Sequence, residues 1–226
     1  MNISMMNTVV FFDVDNTLID GYSQKYFIRY LFHKKYINIF NLILGYCWFL
    51  LYKLNIVRDI DKAINYLLSF LGAMSKAEID SMMDDFFISH IKSNIFTDAI
   101  TRVRWHQKNK HHIILLSNSL CPIVSRLANF LKVKDFFCTK LDYNDNVCLG
   151  KVSGRVLTGE QKLEKAKIFI SKAGGTKIES FFYTDHHSDL SLLKFVDQPI
   201  IVNPDKVLLR YAKNNNWKVL KYNKKI

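Results

Sequence analysis

Apolar runs of only a few residues recur along the chain at wide spacing, at 8–12, 112–116, 136–139, 180–184, 199–202 and 218–221. Short runs that are continuous rather than alternating read as strands buried on both faces. Helix-patterned segments lie between most of them: 122–131 after the second run, 162–173 before the fourth and 205–214 before the last. Strand and helix in alternation predict an α/β fold, a Rossmann-like and mostly parallel sheet with helices on both faces. Residues 20–95 break the alternation. They are helical in pattern, carry no clear strand, and are too long to be a simple connection between neighbouring strands. The expected division is a core of residues 1–19 and 96–226 with an inserted helical cap at 20–95.

One part of the insert is unusually apolar. Between residues 37 and 54 the strongly polar positions are Asn38, Asn41 and Lys53. The uninterrupted stretch, 42–52, is 11 residues, short of the roughly 20 that span a bilayer. Its aromatics Phe40, Tyr46, Trp48, Phe49 and Tyr52 fall on every side of one helix, more than a small cap can bury. Three destinations stay open: a buried cap helix, a protein interface, or a helix lying on a membrane. Residues 1–7 have neither a basic segment nor a useful apolar one, so the run at 8–12 reads as a strand and not as a signal peptide.

With 49% hydrophobic and 14% aromatic residues in a chain of 226, the composition is that of a globular protein, and 3 Pro and 8 Gly leave no material for a long flexible linker. The net charge of +12 is uneven: residues 1–100 hold nine Lys/Arg against ten Asp/Glu, and residues 101–226 hold 23 against ten. A basic half suits an anionic substrate or surface, or simply a solvated basic face. No zinc-finger, helix-turn-helix or RNA-recognition signature accompanies it, so nucleic acid is not expected as a partner. Cys47, Cys121, Cys138 and Cys148 show no C-x-x-C spacing and are expected to be four reduced thiols of a cytosolic protein.

Chemistry-bearing residues cluster where the predicted strands end. The run Phe11-Phe12-Asp13-Val14-Asp15-Asn16-Thr17 delivers two carboxylates at i and i+2 and a hydroxyl at i+4. Past a strand end, the loop can turn both acids toward one open site, where one stays ionised and the other serves as an acid. The second strand ends in Ser117, a donor for a phosphate oxygen, followed by Asn118. Gly159-Glu160-Gln161-Lys162 opens a helix and offers a point charge. The fourth strand leads into Asp185 and Asp189, a D-x-x-x-D pair whose oxygens suit Mg²⁺.

This ordered set resembles the haloacid dehalogenase superfamily of phosphatases, closest to its phosphoserine-phosphatase-like branch (subfamily IB), whose helical cap of C1 type falls between the first two motifs. The resemblance implies Asp13 as nucleophile and Asp15 as acid and base. It implies Thr17, Ser117, Asn118 and Lys162 at the phosphate or supporting its loop. Mg²⁺ would be held by Asp13, the Asp15 carbonyl and Asp185, with Asp189 in support. The implied activity is hydrolysis of a small phosphate monoester. Histidinol phosphate is one candidate, and a lipid-related phosphate at a membrane or a non-catalytic binding role are the alternatives.

Two departures bear on substrate. Asn118 and Ser119 stand where phosphoserine phosphatases have two glycines, and Asp20-Gly21-Tyr22 does not match their acidic residues after the first motif. Phosphoserine is therefore disfavoured. Lys165, on the same helical face as Lys162, is expected to be solvated. His186 and His187 read as polar loop residues, since Mg²⁺ prefers oxygen. Arg102, Arg104 and Arg126 are given no role. The expected location is the cytoplasm, with peripheral membrane contact or a homodimer through the cap left open.

Overall fold

A computed structural model describes residues 7–53, 56, 60–174 and 178–226. Its strands are β1 (Thr8–Phe12), β2 (His112–Leu120), β3 (Asp135–Thr139), β4 (Leu141–Asn144), β5 (Val147–Val152), β6 (Glu179–Thr184), β7 (Gln198–Val202) and β8 (Lys218–Leu220). Its helices are α1 (Ser23–His33), α2 (Ile39–Lys53), α3 (Ile60–Leu68), α4 (Lys76–Phe86), α5 (Thr97–Lys108), α6 (Cys121–Leu131), α7 (Gly159–Ala173), α8 (Leu190–Leu193) and α9 (Lys206–Asn214).

Six strands form one sheet in the order β3-β2-β1-β6-β7-β8, every neighbouring pair parallel. Strand alternation splits the apolar core in two. Val9 and Phe11 join Ile114, Phe182 and Ile201 on one face. Val10 and Phe12 join Leu115, Tyr183 and the inserted helices on the other. The order of strands reverses direction at β1, so the carboxyl ends of β1, β2 and β6 form the crevice in which open parallel sheets bind ligands.

Between β1 and β2 the chain runs through α1 to α4, then a π-helical turn at Phe87–Ile91 and a 3₁₀ turn at Lys92–Asn94. A capping box between Ser75 and Glu78 starts α4. Arg126 of α6 ties this segment to the rest: its Nε donates to Asp84 at 2.7 Å, and a terminal nitrogen donates to the Asp80 carbonyl at 2.7 Å.

The antiparallel hairpin β4–β5 was not anticipated. Its strand pattern alternates, with Cys148, Gly150 and Val152 buried and Val147, Leu149 and Lys151 exposed, so it lacks the continuous run that marks the sheet strands. Asp145 and Asn146 take positive φ at the turn (47° and 67°). The hairpin bonds to the inserted segment through Cys148 N to Met74 O at 2.8 Å and Lys76 N to Asn146 O at 2.7 Å.

Two expectations are corrected. Cys121 and Cys138 are joined in a disulfide, with Cys47 and Cys148 free, in place of four free thiols. The cause is register: β3 runs parallel beside β2, so the start of α6 comes to lie against the end of β3, with the two Cα atoms 5.1 Å apart. And β2 does not end at Ser117; it runs on to Leu120 with an irregular register after Leu116.

Helix α2 covers most of the apolar segment, with Gly45 tucked against Ile28 of α1. Ile39, Phe40, Ile43 and Leu50 remain 56–65% exposed. Leu54 and the side chains of Phe49 and Tyr52 lie outside the described residues. No described helix is long and apolar enough to cross a membrane.

Candidate active site

The first acid sits directly beyond β1. Its backbone is fixed by Asp13 N donating to Tyr183 O of β6 at 2.9 Å, and its Oδ1 accepts from Val14 N at 2.8 Å. Asp15 follows in a turn whose amides, from Thr17 to Ile19, all reach back to the Val14 carbonyl. Asn16 takes positive φ (53°) here, a conformation that asparagine tolerates better than most residues. Its side-chain amide donates to Asp185 Oδ2 at 3.0 Å, linking the ends of β1 and β6.

Lys162 arrives from the first turn of α7. Thr158 caps that helix and shares a reciprocal capping box with Gln161. Lys162 is only 4% exposed, and its ammonium lies 3.0 Å from Asp13 Oδ1 and 2.9 Å from Asp189 Oδ2. Thr184 Oγ1 donates to the same Asp189 oxygen at 2.7 Å. Burial alone would depress the lysine pKa, but the two carboxylates more than offset it and hold the ammonium protonated.

The acids are shifted the other way. Burial pushes Asp13 up to about 7, with Asp189 and Asp15 adding repulsion and Lys162 opposing. Burial also raises Asp185 well above its usual range, and the neighbouring Asp13 charge adds to it. Two buried carboxylates that repel each other make a donor set a hard divalent cation would satisfy. Asp189 Oδ1 is also buried, and among the described residues it finds no hydrogen-bond partner.

Asp15 sits in a different environment. Its Oδ1 accepts from Ser23 N at 2.9 Å, while Ser23 Oγ (3.2 Å) and Ser119 Oγ (3.0 Å) both approach Oδ2. Those hydroxyls are themselves 2.7 Å apart. Both hydroxyls can donate to Oδ2, which leaves the contact between them without a proton of its own. Burial raises the Asp15 pKa, against the bonds from Ser23 and Ser119. The arrangement suits an acid that carries a proton part of the time.

Ser117 is fully buried, and its Oγ accepts from Ser119 N at 3.1 Å. Asn118 is held by its carbonyl, which accepts from Thr139 Oγ1 at 2.8 Å, and its side chain faces Gln24 Nε2 at 3.5 Å. Thr17 is buried, with its hydroxyl among the buried groups that find no partner in the described structure. Lys165 is exposed, as expected. His186, His187 and Asp205 could bring three ligand atoms within 4.8 Å. Asp205, however, already accepts from His187 N at 2.9 Å and caps α9 through Leu208 N at 2.7 Å, so the trio anchors the loop to that helix.

Sequence reasoning gave Ser23, Gln24 and Asn16 no role and read Ser119 only as a departure bearing on substrate, not as a partner of Asp15. Serines 8 and 104 positions away from Asp15 carry no local signal of their role. The one available hint was that both flank segments already singled out.

The family model for haloacid dehalogenase-like hydrolases matches residues 10–194. A histidinol-phosphatase of Neisseria meningitidis serogroup C is 26% identical over 221 residues, covering 96% of this chain and all of the relative. A solved structure of a Bordetella pertussis protein of unknown function superposes with a TM-score of 0.87 at 22% identity, covering 96% of this chain and 99% of that one. A phosphoserine phosphatase solved as a phospho-aspartyl intermediate analogue gives 0.68 at 14% identity, over 97% and 95%.

Proposed function

The chain belongs to the haloacid dehalogenase-like hydrolase family, and we propose that it is a Mg²⁺-dependent phosphatase that hydrolyses a phosphate monoester through a phosphorylated Asp13. The observation that carries this reading is the shared ammonium: Lys162 bridges Asp13 and Asp189 at 3.0 and 2.9 Å inside a buried acidic site.

Asp13 Oδ attacks phosphorus, and the leaving oxygen takes its proton from Asp15, which stands in the hydrogen-bonded triangle with Ser23 and Ser119. Asp15, now ionised, then takes a proton from the water that hydrolyses the aspartyl-phosphate. Lys162 favours the ionised nucleophile and, with Ser117, offers donors to the phosphoryl oxygens. Mg²⁺ would be held by Asp13, the Asp15 carbonyl and Asp185, and when bound supplies the charge that lets an anionic nucleophile meet an anionic phosphate.

The name of the Neisseria relative makes histidinol phosphate a substrate to test. The exposed Ile39, Phe40, Ile43 and Leu50 of α2 favour a second reading, action at a membrane surface on a lipid-related phosphate. Liposome flotation with anionic vesicles tests it, and a protein that never floats removes it.

The main reading is tested by p-nitrophenyl phosphate turnover with Mg²⁺, with EDTA, and in Asp13→Asn. Turnover lost in the latter two is the expected result. Wild-type rates in Asp13→Asn would overturn the mechanism.

A further inference from the structure

Beside the catalytic crevice lies a partly open cavity of about 240 Å³, lined mostly by residues of α1, α3, the end of β2 and the start of α6. Phe27, Ile28, Leu31, Ile64, Leu67 and Ile123 give it a mainly apolar wall. Gln24 and Asn118, whose side chains face each other at 3.5 Å, also line it. Gln24 Nε2 lies 3.3 Å from Ser119 Oγ, which in turn lies 3.0 Å from Asp15 Oδ2. The cavity is thus two hydrogen bonds from the acid that protonates the departing oxygen. Its other polar groups, Asn41, Ser69 and Thr139 among them, are uncharged, and among the described residues the lining contains no acidic or basic side chain.

Resting on the phosphatase reading above, we infer that the substrate's leaving group is an uncharged, largely apolar alcohol and not an amino alcohol. A substrate ammonium entering this wall would lose its water and find no described carboxylate to replace it, a loss that burial of a charge does not forgive. An apolar chain gains on the same surface, roughly fourfold in affinity per buried methylene. Gln24 and Asn118 remain to orient the ester oxygen, the usual division of labour in a pocket with few polar groups. The alcohol of a prenyl phosphate and that of an acylated glycerol phosphate share this chemistry.

The test is a panel of monoesters assayed with Mg²⁺: geranyl phosphate, dihexanoylglycerol phosphate, histidinol phosphate, phosphoserine and p-nitrophenyl phosphate. The last has an activated leaving group and reports on the reaction class alone. The expected result is kcat/KM for one or both apolar esters at least about tenfold above both amino-alcohol esters, the scale on which pocket contacts discriminate. Which of the two apolar esters leads separates the prenyl source from the glycerolipid source. Histidinol phosphate or phosphoserine equal to or better than the apolar esters would overturn the inference and leave the phosphatase reading standing. No turnover of any ester, p-nitrophenyl phosphate included, would sink both. Leu67→Glu and Ile28→Asn, each checked for folding by circular dichroism, should narrow the preference by about tenfold. A folded pair that left the preference unmoved would show that this cavity does not hold the leaving group.

Discussion

Gly159 backs onto the carbonyl of Ser188 so closely that a Cβ at position 159 would stand 2.0 Å from that oxygen. The contact joins the first turn of α7, which carries Lys162, to the loop that carries Asp185 and Asp189. In an open helix, replacing Gly by Ala stabilises. Here the added methyl has to push the two segments apart. Gly159→Ala should destabilise by about 1–3 kcal/mol, the range for overpacking, and lower kcat, because the Lys162 ammonium can no longer meet both carboxylates. Thermal melts and steady-state kinetics check this. A variant as stable and active as the parent would show that the contact relaxes freely.

Ser23 and Ser119 act on Asp15 and are positioning residues. Ser119→Ala and Ser23→Ala each leave one hydroxyl to serve Asp15 Oδ2. Each should lower kcat by roughly tenfold, within the range for a small misplacement of a reacting group, with KM little changed. The alkaline limb of the kcat profile should also move, since both bonds favour the ionised Asp15. A loss of stability with no movement of that limb would reduce the two serines to structural groups.

His106 lies fully buried beneath Phe12, with Nε2 2.8 Å from the Tyr183 hydroxyl and Nδ1 2.8 Å from the His111 ring. Burial, with His111 and Arg102 adding to it, lowers its pKa from 6.5 to about 3. The unfolded chain therefore binds a proton between those values that the folded chain refuses. Stability from this group is complete above pH 6.5 and falls as pH drops toward 3, by roughly 2 kcal/mol between pH 6.5 and 5. Urea unfolding across that range should show a flatter pH dependence in His106→Gln than in the parent. Parallel curves would contradict the neutral, buried imidazole.

Much of the catalytic crevice was legible because its chemistry lies at the ends of continuous apolar runs: Asp13 after β1 and Asp185 after β6 each follow one directly. What stayed hidden depends on contacts between distant segments. The Cys121–Cys138 disulfide follows from the register of β3 on β2, and 17 residues of separation say nothing about it. The hairpin β4–β5 did carry a signal, an alternating strand around Asp145-Asn146, but it lies on the inserted helices and so lacks the fully buried pattern of the sheet. For the apolar stretch of α2 the pattern left three destinations open, a buried cap helix, a protein interface or a membrane surface, and Phe40 on it is 65% exposed.

The central claim is that Asp13 becomes phosphorylated. Its most direct test is acid quench of the enzyme in mid-turnover on a radiolabelled phosphate monoester with Mg²⁺, followed by peptide mapping. The account predicts an acid-stable, hydroxylamine-labile label on the peptide holding Asp13, more abundant in Asp15→Asn, where hydrolysis of the acyl phosphate loses its base, and missing in Asp13→Asn. Label on a different residue, or full turnover with no label trapped in any variant, would contradict it.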